Sequence, residues 1–132
     1  MKKVNIILVD DDEDDRLLFS EALEELKLDV SFLMFENGLK LIDYLKQLDQ
    51  YIGTHIFLDL NMPVISGMDC LKKLREFTDS TSPFVTMYST SSSPLDVEQA
   101  YKFGANGYLQ KPSCFNTLKE SLQKSILAGN PS

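Results

Sequence analysis

The sequence predicts an α/β fold in which five helices cover both faces of a doubly wound, five-stranded parallel sheet. Short, almost continuously apolar runs alternate with longer segments whose apolar residues recur at helical spacing. Such runs are typical of strands that are buried on both faces. A length of 132 residues corresponds to one domain. We assign residues 1–128 to that domain and residues 129–132 to a C-terminal tail.

The first half of the chain contains two strand–helix units and a third strand. Its predicted strands are 4–9, 30–35 and 56–58. The two helices between them carry apolar stripes at Phe19, Ala22, Leu23 and Leu26, and at Leu41, Ile42, Leu45 and Leu48. Each stripe follows the helical period, which indicates that one face of each helix packs on the sheet.

Capping residues mark the three helices of the second half. Ser66, Ser93 and Ser113 each precede a segment with helical periodicity, and serine is a favoured N-cap residue. Pro94 fits the first position of its helix, and Gly104 ends that helix. The predicted strands between these helices are 84–88 and 107–109.

Composition and charge exclude several classes of function. The formal net charge of −7 disfavours binding to nucleic acid or to an anionic membrane. No apolar run approaches the ~20 residues of a membrane span, so we expect a cytoplasmic protein. Cys70 and Cys114 are far apart in sequence and form no metal-binding or redox motif, so we expect both to be reduced.

Polar residues follow four of the five predicted strands. Asp10 and Asp11 follow the first strand, Asp59 the third, Ser89 the fourth and Lys111 the fifth. The carboxyl ends of parallel strands meet at one edge of the sheet, where ligands bind in such folds. Three carboxylates about 5 Å apart would repel one another by on the order of 10 kcal/mol at an effective dielectric of about 20. One lysine cannot offset this repulsion, so the sequence predicts a Mg²⁺ site.

These residues belong to longer motifs, which together resemble the receiver domain of bacterial two-component response regulators over nearly the whole chain. The motifs are Ile7-Leu8-Val9-Asp10-Asp11, Leu58-Asp59-Leu60-Asn61-Met62-Pro63 with Gly67, Ser89-Thr90, and Gly104-Ala105-Asn106-Gly107-Tyr108-Leu109-Gln110-Lys111-Pro112. The resemblance implies a flavodoxin-like sheet with strand order 2-1-3-4-5.

The resemblance also implies a role for each matching residue. It makes Asp59 the phosphoacceptor. It makes Asp10, Asp11, Asp59 and the backbone carbonyl of Asn61 the ligands of Mg²⁺. Ser89 and Lys111 would contact the phosphoryl group. Ser89 and Tyr108 would form the conformational switch. It gives structural roles to Pro63, Gly67 and Pro112, with a cis Lys111–Pro112 bond.

Four positions have alternative interpretations. The family usually has Thr where this chain has Ser89, and Thr90 is the competing candidate. Asp10–Asp15 could be a solvated acidic loop or an EF-hand loop, although Asp15 replaces the required glycine. We assign function to its first two residues, with Asp12 as a helper outside the metal ligands. His55 is expected to be a surface residue, and Tyr101 could border a partner surface.

The preferred function is a single-domain response regulator. It would accept a phosphoryl group from a histidine kinase or a histidine phosphotransfer protein and act on a downstream protein target, as a monomer or homodimer. It would catalyse only its own phosphorylation and dephosphorylation. The alternative is a small hydrolase of the haloacid dehalogenase type, because Val9-Asp10-x-Asp12 resembles that nucleophile motif. A constitutive interaction module with a vestigial site is a third possibility.

Overall fold

A computed structural model describes residues 4–129, which form a five-stranded parallel sheet with strand order β2-β1-β3-β4-β5. This order confirms the prediction. In chain order the elements are β1 (Val4–Val9), α1 (Glu13–Leu26), β2 (Val30–Phe35), α2 (Gly38–Lys46), β3 (Thr54–Asp59), α3 (Gly67–Arg75), β4 (Phe84–Ser89), α4 (Pro94–Lys102), β5 (Gly107–Gln110) and α5 (Phe115–Gly129). None of these helices is both long and apolar enough to cross a membrane.

Two hydrophobic cores lie on opposite faces of the sheet. On one face, Phe19 of α1 and Leu122 of α5 pack against alternate side chains of β1 and β3. On the other face, α2, α3 and α4 pack against the remaining side chains, with Leu45 and Leu71 fully buried. Both faces of the central strands are covered, which explains why β1 and β3 read as nearly unbroken apolar runs.

The helix caps differ in part from the prediction. The Ser66 hydroxyl accepts the Asp69 N–H at 3.1 Å and caps α3 as expected. Ser93 precedes Pro94 but makes no capping hydrogen bond. The prediction that Ser113 opens the last helix was wrong, since α5 begins at Phe115 and the Cys114 carbonyl accepts its first helical hydrogen bond.

The C-terminal boundary and one proline isomer also differ from the prediction. α5 extends to Gly129, one residue into the predicted tail, and residues 130–132 lie outside the described part of the chain. Within residues 4–129 the Ser82–Pro83 bond is cis, and the expected cis Lys111–Pro112 bond is trans. The trans form is the intrinsically preferred isomer, and with it the Lys111 ammonium still reaches Asp10 at 2.9 Å.

The expectation that His55 lies at the surface was wrong. His55 is the second residue of β3 and is 1% exposed. Its ring stacks on Phe57, meets the edge of Phe84, and places Nε2 2.9 Å from the Thr86 hydroxyl. Burial lowers the pKa of His55 to about 3, so the ring is neutral in the folded protein.

This buried histidine is expected to make the protein less stable in mild acid. The folded pKa of about 3 lies below the unfolded value, so the unfolded chain binds a proton first and stability falls as pH drops from about 7 toward 3. Between about pH 8 and pH 5 the loss from this group should be about 2 kcal/mol. Urea unfolding of the wild type and of His55→Gln at both pH values measures it. An equal pH dependence in the two proteins would contradict the assignment.

Candidate functional site

The carboxyl ends of the strands bring the predicted polar residues together at one edge of the sheet. Asp10 directly follows β1, Asp59 is the last residue of β3, Ser89 is the last residue of β4, and Lys111 directly follows β5. Asp10, Asp59 and Ser89 are buried, at 0%, 6% and 1% exposure. Buried polar groups of this kind need partners or a ligand to offset their loss of hydration.

Three carboxylates form the acidic part of the pocket. Asp10, Asp11 and Asp59 each offer an oxygen atom, and these atoms all lie within 4.8 Å of one another. At this separation each pair of charges repels by about 3 kcal/mol for an effective dielectric of about 20. Burial, together with the charge of Asp10, raises the pKa of Asp59 above its ordinary value, although Lys111 opposes the shift. This separation of the carboxylate oxygens agrees with the distance of about 5 Å assumed for them from the sequence.

Lys111 is the cation of this pocket. Its Nζ lies 2.9 Å from Asp10 Oδ2, 2.8 Å from Asp15 Oδ2 and 3.6 Å from Asp59 Oδ2. Burial lowers the pKa of Lys111, but the hydrogen bonds to Asp15 and Asp10 and the charge of Asp59 outweigh this and raise it overall. Lys111 is therefore a fixed positive charge, and it lies next to three carboxylates, those of Asp10, Asp15 and Asp59.

The donor set fits a divalent cation. Its atoms are carboxylate oxygens, which are the ligands of hard cations such as Mg²⁺, and one ammonium leaves most of their charge uncompensated. Asp11 is exposed at the mouth of the pocket, while Asp10 and Asp59 line its floor. Asp10, Asp11 and Asp59 could together hold the ion.

The segment between β3 and α3 shapes the side of the pocket next to Asp59. The Asn61 N–H donates to Asp59 Oδ1 at 3.3 Å, and a tight turn joins the Ile65 N–H to the Pro63 carbonyl at 2.8 Å. The Gly67 N–H donates to the Leu60 carbonyl at 2.8 Å, which brings the start of α3 against the end of β3. The role of the Asn61 carbonyl as a metal ligand stays a prediction.

Ser89 is connected to Tyr108 through the segment between β4 and α4. The Ser89 hydroxyl accepts the Ser91 N–H at 3.1 Å, and the Tyr108 hydroxyl donates to the Ser91 carbonyl at 2.9 Å. The Ser91 hydroxyl in turn donates to Asp96 of α4 at 2.7 Å. Thr90 is exposed whereas Ser89 is buried, which favours Ser89 as the hydroxyl of the pocket.

The acidic run after β1 divides into separate roles. The Asp12 carboxylate accepts the N–H groups of Asp14 and Asp15 and caps α1, so it is not available as an EF-hand ligand. Asp15 pairs with Lys111, and Arg16 donates to the Asp10 carbonyl at 2.8 Å. The contacts of Asp15 and Arg16 were not predicted from the sequence. The available signal was the position of these two residues near the start of a helix that begins beside Asp10.

Comparison with known proteins assigns the family. The family model described as the response regulator receiver domain matches residues 6–123, which include Asp10, Asp11, Asp59, Ser89 and Lys111. The chain belongs to the response regulator receiver family. Members of this family work with histidine kinases and downstream targets in two-component systems and bind a divalent metal through an acidic pocket.

Among curated relatives, the receiver is 30% identical over 123 residues to the chemotaxis protein CheY-3 of Vibrio cholerae, covering 93% of this chain and 92% of that protein. It is 29% identical over 121 residues to CheY1 of Helicobacter pylori, covering 91% and 94%. It is 34% identical over 124 residues to hybrid signal transduction histidine kinase E of Dictyostelium discoideum, covering 91% of this chain and 7% of that kinase.

Two solved structures share the fold and most of the length of this receiver. The phosphorylated cyanobacterial phytochrome response regulator RcpA aligns with a TM-score of 0.81 at 25% identity, covering 98% of both chains. The Mn²⁺-bound form of response regulator Rcp1 aligns with a TM-score of 0.75 at 28% identity, covering 92% of this chain and 90% of that one. The flavodoxin-like topology expected from the sequence is confirmed.

Proposed function

We propose that this receiver accepts a phosphoryl group on Asp59 in a Mg²⁺-dependent reaction, with a phosphohistidine of a histidine kinase or histidine phosphotransfer protein as the donor. The observation that carries the proposal is the cluster of Asp10, Asp11 and Asp59 with the Lys111 ammonium beside it. A bound Mg²⁺ would supply positive charge for the carboxylates and for the incoming phosphoryl oxygens. The proposed ligands are these three aspartates and the Asn61 carbonyl.

The transfer needs one bond formed and one bond broken. An Asp59 oxygen attacks phosphorus, the P–N bond of the phosphohistidine breaks, and the imidazole leaves with the electron pair and takes up a proton from water. In the dephosphorylation step that completes the cycle, water attacks phosphorus and the P–O bond to Asp59 breaks, which releases inorganic phosphate. Lys111 and Ser89 would bond the phosphoryl oxygens, so positioning and charge would provide the catalysis.

The phosphoryl group would act on the Ser91 connection described above. It adds about −1.5 to −2 charges and three acceptor oxygens next to Ser89. Movement of Ser89 toward these oxygens would pull Ser91 and break or redirect the hydrogen bond from Tyr108. Tyr108 would then turn inward and change the surface formed by α4, β5 and α5, which is the surface offered to a downstream protein. Tyr101, which is 50% exposed on α4, would border this surface.

We also propose that the receiver works in the cytoplasm, as a monomer or homodimer, and does not itself bind DNA. The formal net charge of −7, which disfavours contact with a phosphate backbone, supports the last point. The protein would be a phosphoacceptor that promotes only its own phosphorylation and dephosphorylation, rather than an enzyme acting on other substrates. Signalling would occur through protein contacts.

The test is the intact mass of the protein after incubation with a small phosphodonor such as acetyl phosphate, with and without Mg²⁺. The gain of one phosphoryl group that requires Mg²⁺ is the expected result. The hydrolase alternative, which the family match does not favour, predicts sustained release of phosphate from an external phosphomonoester. No mass gain and no phosphate release would reject both functions.

Asp11→Ala is expected to weaken Mg²⁺ binding by at least about tenfold, because it removes a carboxylate from the metal site. The same change should raise stability without metal by up to about 1 kcal/mol, since Asp11 is exposed and its repulsion with the other carboxylates is partly screened. Calorimetric Mg²⁺ titration and urea unfolding measure the two effects. Asp14→Ala changes an exposed acid nearby and should leave Mg²⁺ affinity unchanged. Equal affinities in the wild type and Asp11→Ala would reject Asp11 as a ligand.

A further inference from the structure

A fourth carboxylate, Asp15, lies in the pocket without a role in the proposed reaction. It belongs to the first turn of α1, and its Oδ2 accepts a hydrogen bond from Lys111 Nζ at 2.8 Å. The same nitrogen donates to Asp10 at 2.9 Å but stands 3.6 Å from Asp59, which is beyond hydrogen-bond distance. The lysine is therefore held away from the residue whose phosphoryl group it is expected to bond.

We propose that Asp15 is a positioning residue that anchors Lys111 on the α1 side of the pocket and competes with the phosphoryl group for this ammonium. The inference rests on the proposed function, because it concerns the same lysine and the same acceptor. It adds a residue that controls how strongly the phosphorylated form is favoured.

The geometry of the lysine supports an exchange of partners. An ammonium has three N–H donors, and Asp10 and Asp15 occupy two of them at hydrogen-bond distance. Asp10 is fully buried and cannot follow the lysine, whereas the Asp15 side chain is 31% exposed and can be hydrated when it is released. When a phosphoryl group on Asp59 recruits Lys111, the contact with Asp15 is the one that can be given up at the lower cost.

The direction of the effect follows from this competition. In the unphosphorylated protein Asp15 stabilises the existing position of Lys111, so the phosphoryl group must displace it. Without the Asp15 charge, Lys111 is free to turn toward Asp59, and one negative charge near the phosphoryl oxygens is gone. Loss of Asp15 should therefore favour the phosphorylated state and slow the loss of its phosphoryl group.

The first measurement is the affinity for beryllofluoride, which mimics a phosphoryl group on a carboxylate oxygen, in the presence of Mg²⁺. Asp15→Asn is expected to bind it about fivefold more tightly than the wild type. A factor of about five in an equilibrium constant is a typical contribution of a partly exposed ion pair. The matched control is Asp14→Asn, because Asp14 is exposed, carries the same charge and lies in the same turn of α1. This control should bind like the wild type.

The second measurement needs no metal and no phosphoryl group. A double-mutant cycle with Asp15→Asn and Lys111→Gln on urea unfolding isolates the pair from the effect of Asp15 on the helix dipole. The expected coupling is about fivefold in the unfolding equilibrium constant. Lys111→Met, which keeps the aliphatic stem, replaces Lys111→Gln in the cycle if that variant does not fold.

Two results would overturn the inference. One is that Asp15→Asn binds beryllofluoride no more tightly than the wild type, or that Asp14→Asn binds it as tightly as Asp15→Asn does. The other is a cycle without coupling. A failure of the proposed function has a different signature, since the wild type would then gain no phosphoryl mass and bind no beryllofluoride. Wild-type labelling together with identical Asp15→Asn and Asp14→Asn affinities rejects the role of Asp15 alone.

Discussion

Asp59→Asn is expected to abolish the gain of phosphoryl mass from acetyl phosphate at any Mg²⁺ concentration. The amide has nearly the shape of the carboxylate, but it is neutral and a poor nucleophile, so no acyl phosphate can form. Intact-mass measurement after incubation with the donor checks this directly. The matched control is Asp69→Asn on α3. The Asp69 carboxylate is 63% exposed and is not one of the pocket residues, so this variant should label like the wild type.

The Asp59→Asn variant should also be more stable than the wild type without metal. Burial and Asp10 raise the pKa of Asp59, so the folded protein binds its proton more tightly than the unfolded chain and stability falls as pH rises through that pKa. The neutral amide removes this cost. With the pKa of Asp59 raised to about 7, the cost is about 2 kcal/mol after a discount for solvent screening of the partly hydrated pocket. Urea unfolding at about pH 8 measures the gain. Loss of labelling in a stabilised variant cannot come from misfolding, and retained labelling would reject Asp59 as acceptor.

Gly67→Ala is expected to destabilise the protein by more than about 3 kcal/mol, at the upper end of overpacking effects. A Cβ at this position would overlap the Asp59 carbonyl oxygen and lie 2.7 Å from the Leu60 Cα. Both are backbone atoms at the end of a buried strand, so relief requires α3 to move away from β3. Urea unfolding measures the change, and the variant that folds should also accept phosphoryl more slowly, because Asp59 is displaced.

Gly107→Ala is the comparison for this prediction. A Cβ there would meet the Thr86 hydroxyl oxygen at 3.1 Å and other Thr86 side-chain atoms at 3.7 Å or more. A side chain can shift by a few tenths of an ångström, so the expected loss is about 1 kcal/mol or less. Similar losses in the two variants would show that the close approach of α3 to Asp59 is not what Gly67 provides.

The sequence by itself determined the fold class, the strand order expected for the family, and the main residues of the pocket. Apolar periodicity is a local property, so β1 and β2 could be predicted with their observed bounds. The common position of four pocket residues could also be predicted without knowledge of the packing: Asp10, Asp59, Ser89 and Lys111. It follows from parallel strands whose carboxyl ends share an edge, whatever the packing of the helices.

The tertiary structure alone decided the contacts that depend on distance between remote segments. Within a run of six acids, Lys111 bonds Asp15 in addition to Asp10, because α1 starts beside the pocket and turns the Asp15 carboxylate toward the lysine. His55 is buried because Phe57, Phe84 and Thr86 surround it on the sheet, whereas a single polar residue at the start of a strand has no periodic signature. The trans Lys111–Pro112 bond and the hydrogen bond from Tyr108 to Ser91 also depend on tertiary packing. Periodicity and motif spacing describe which face or edge a residue occupies, but the choice of partner there is made by packing across the whole domain.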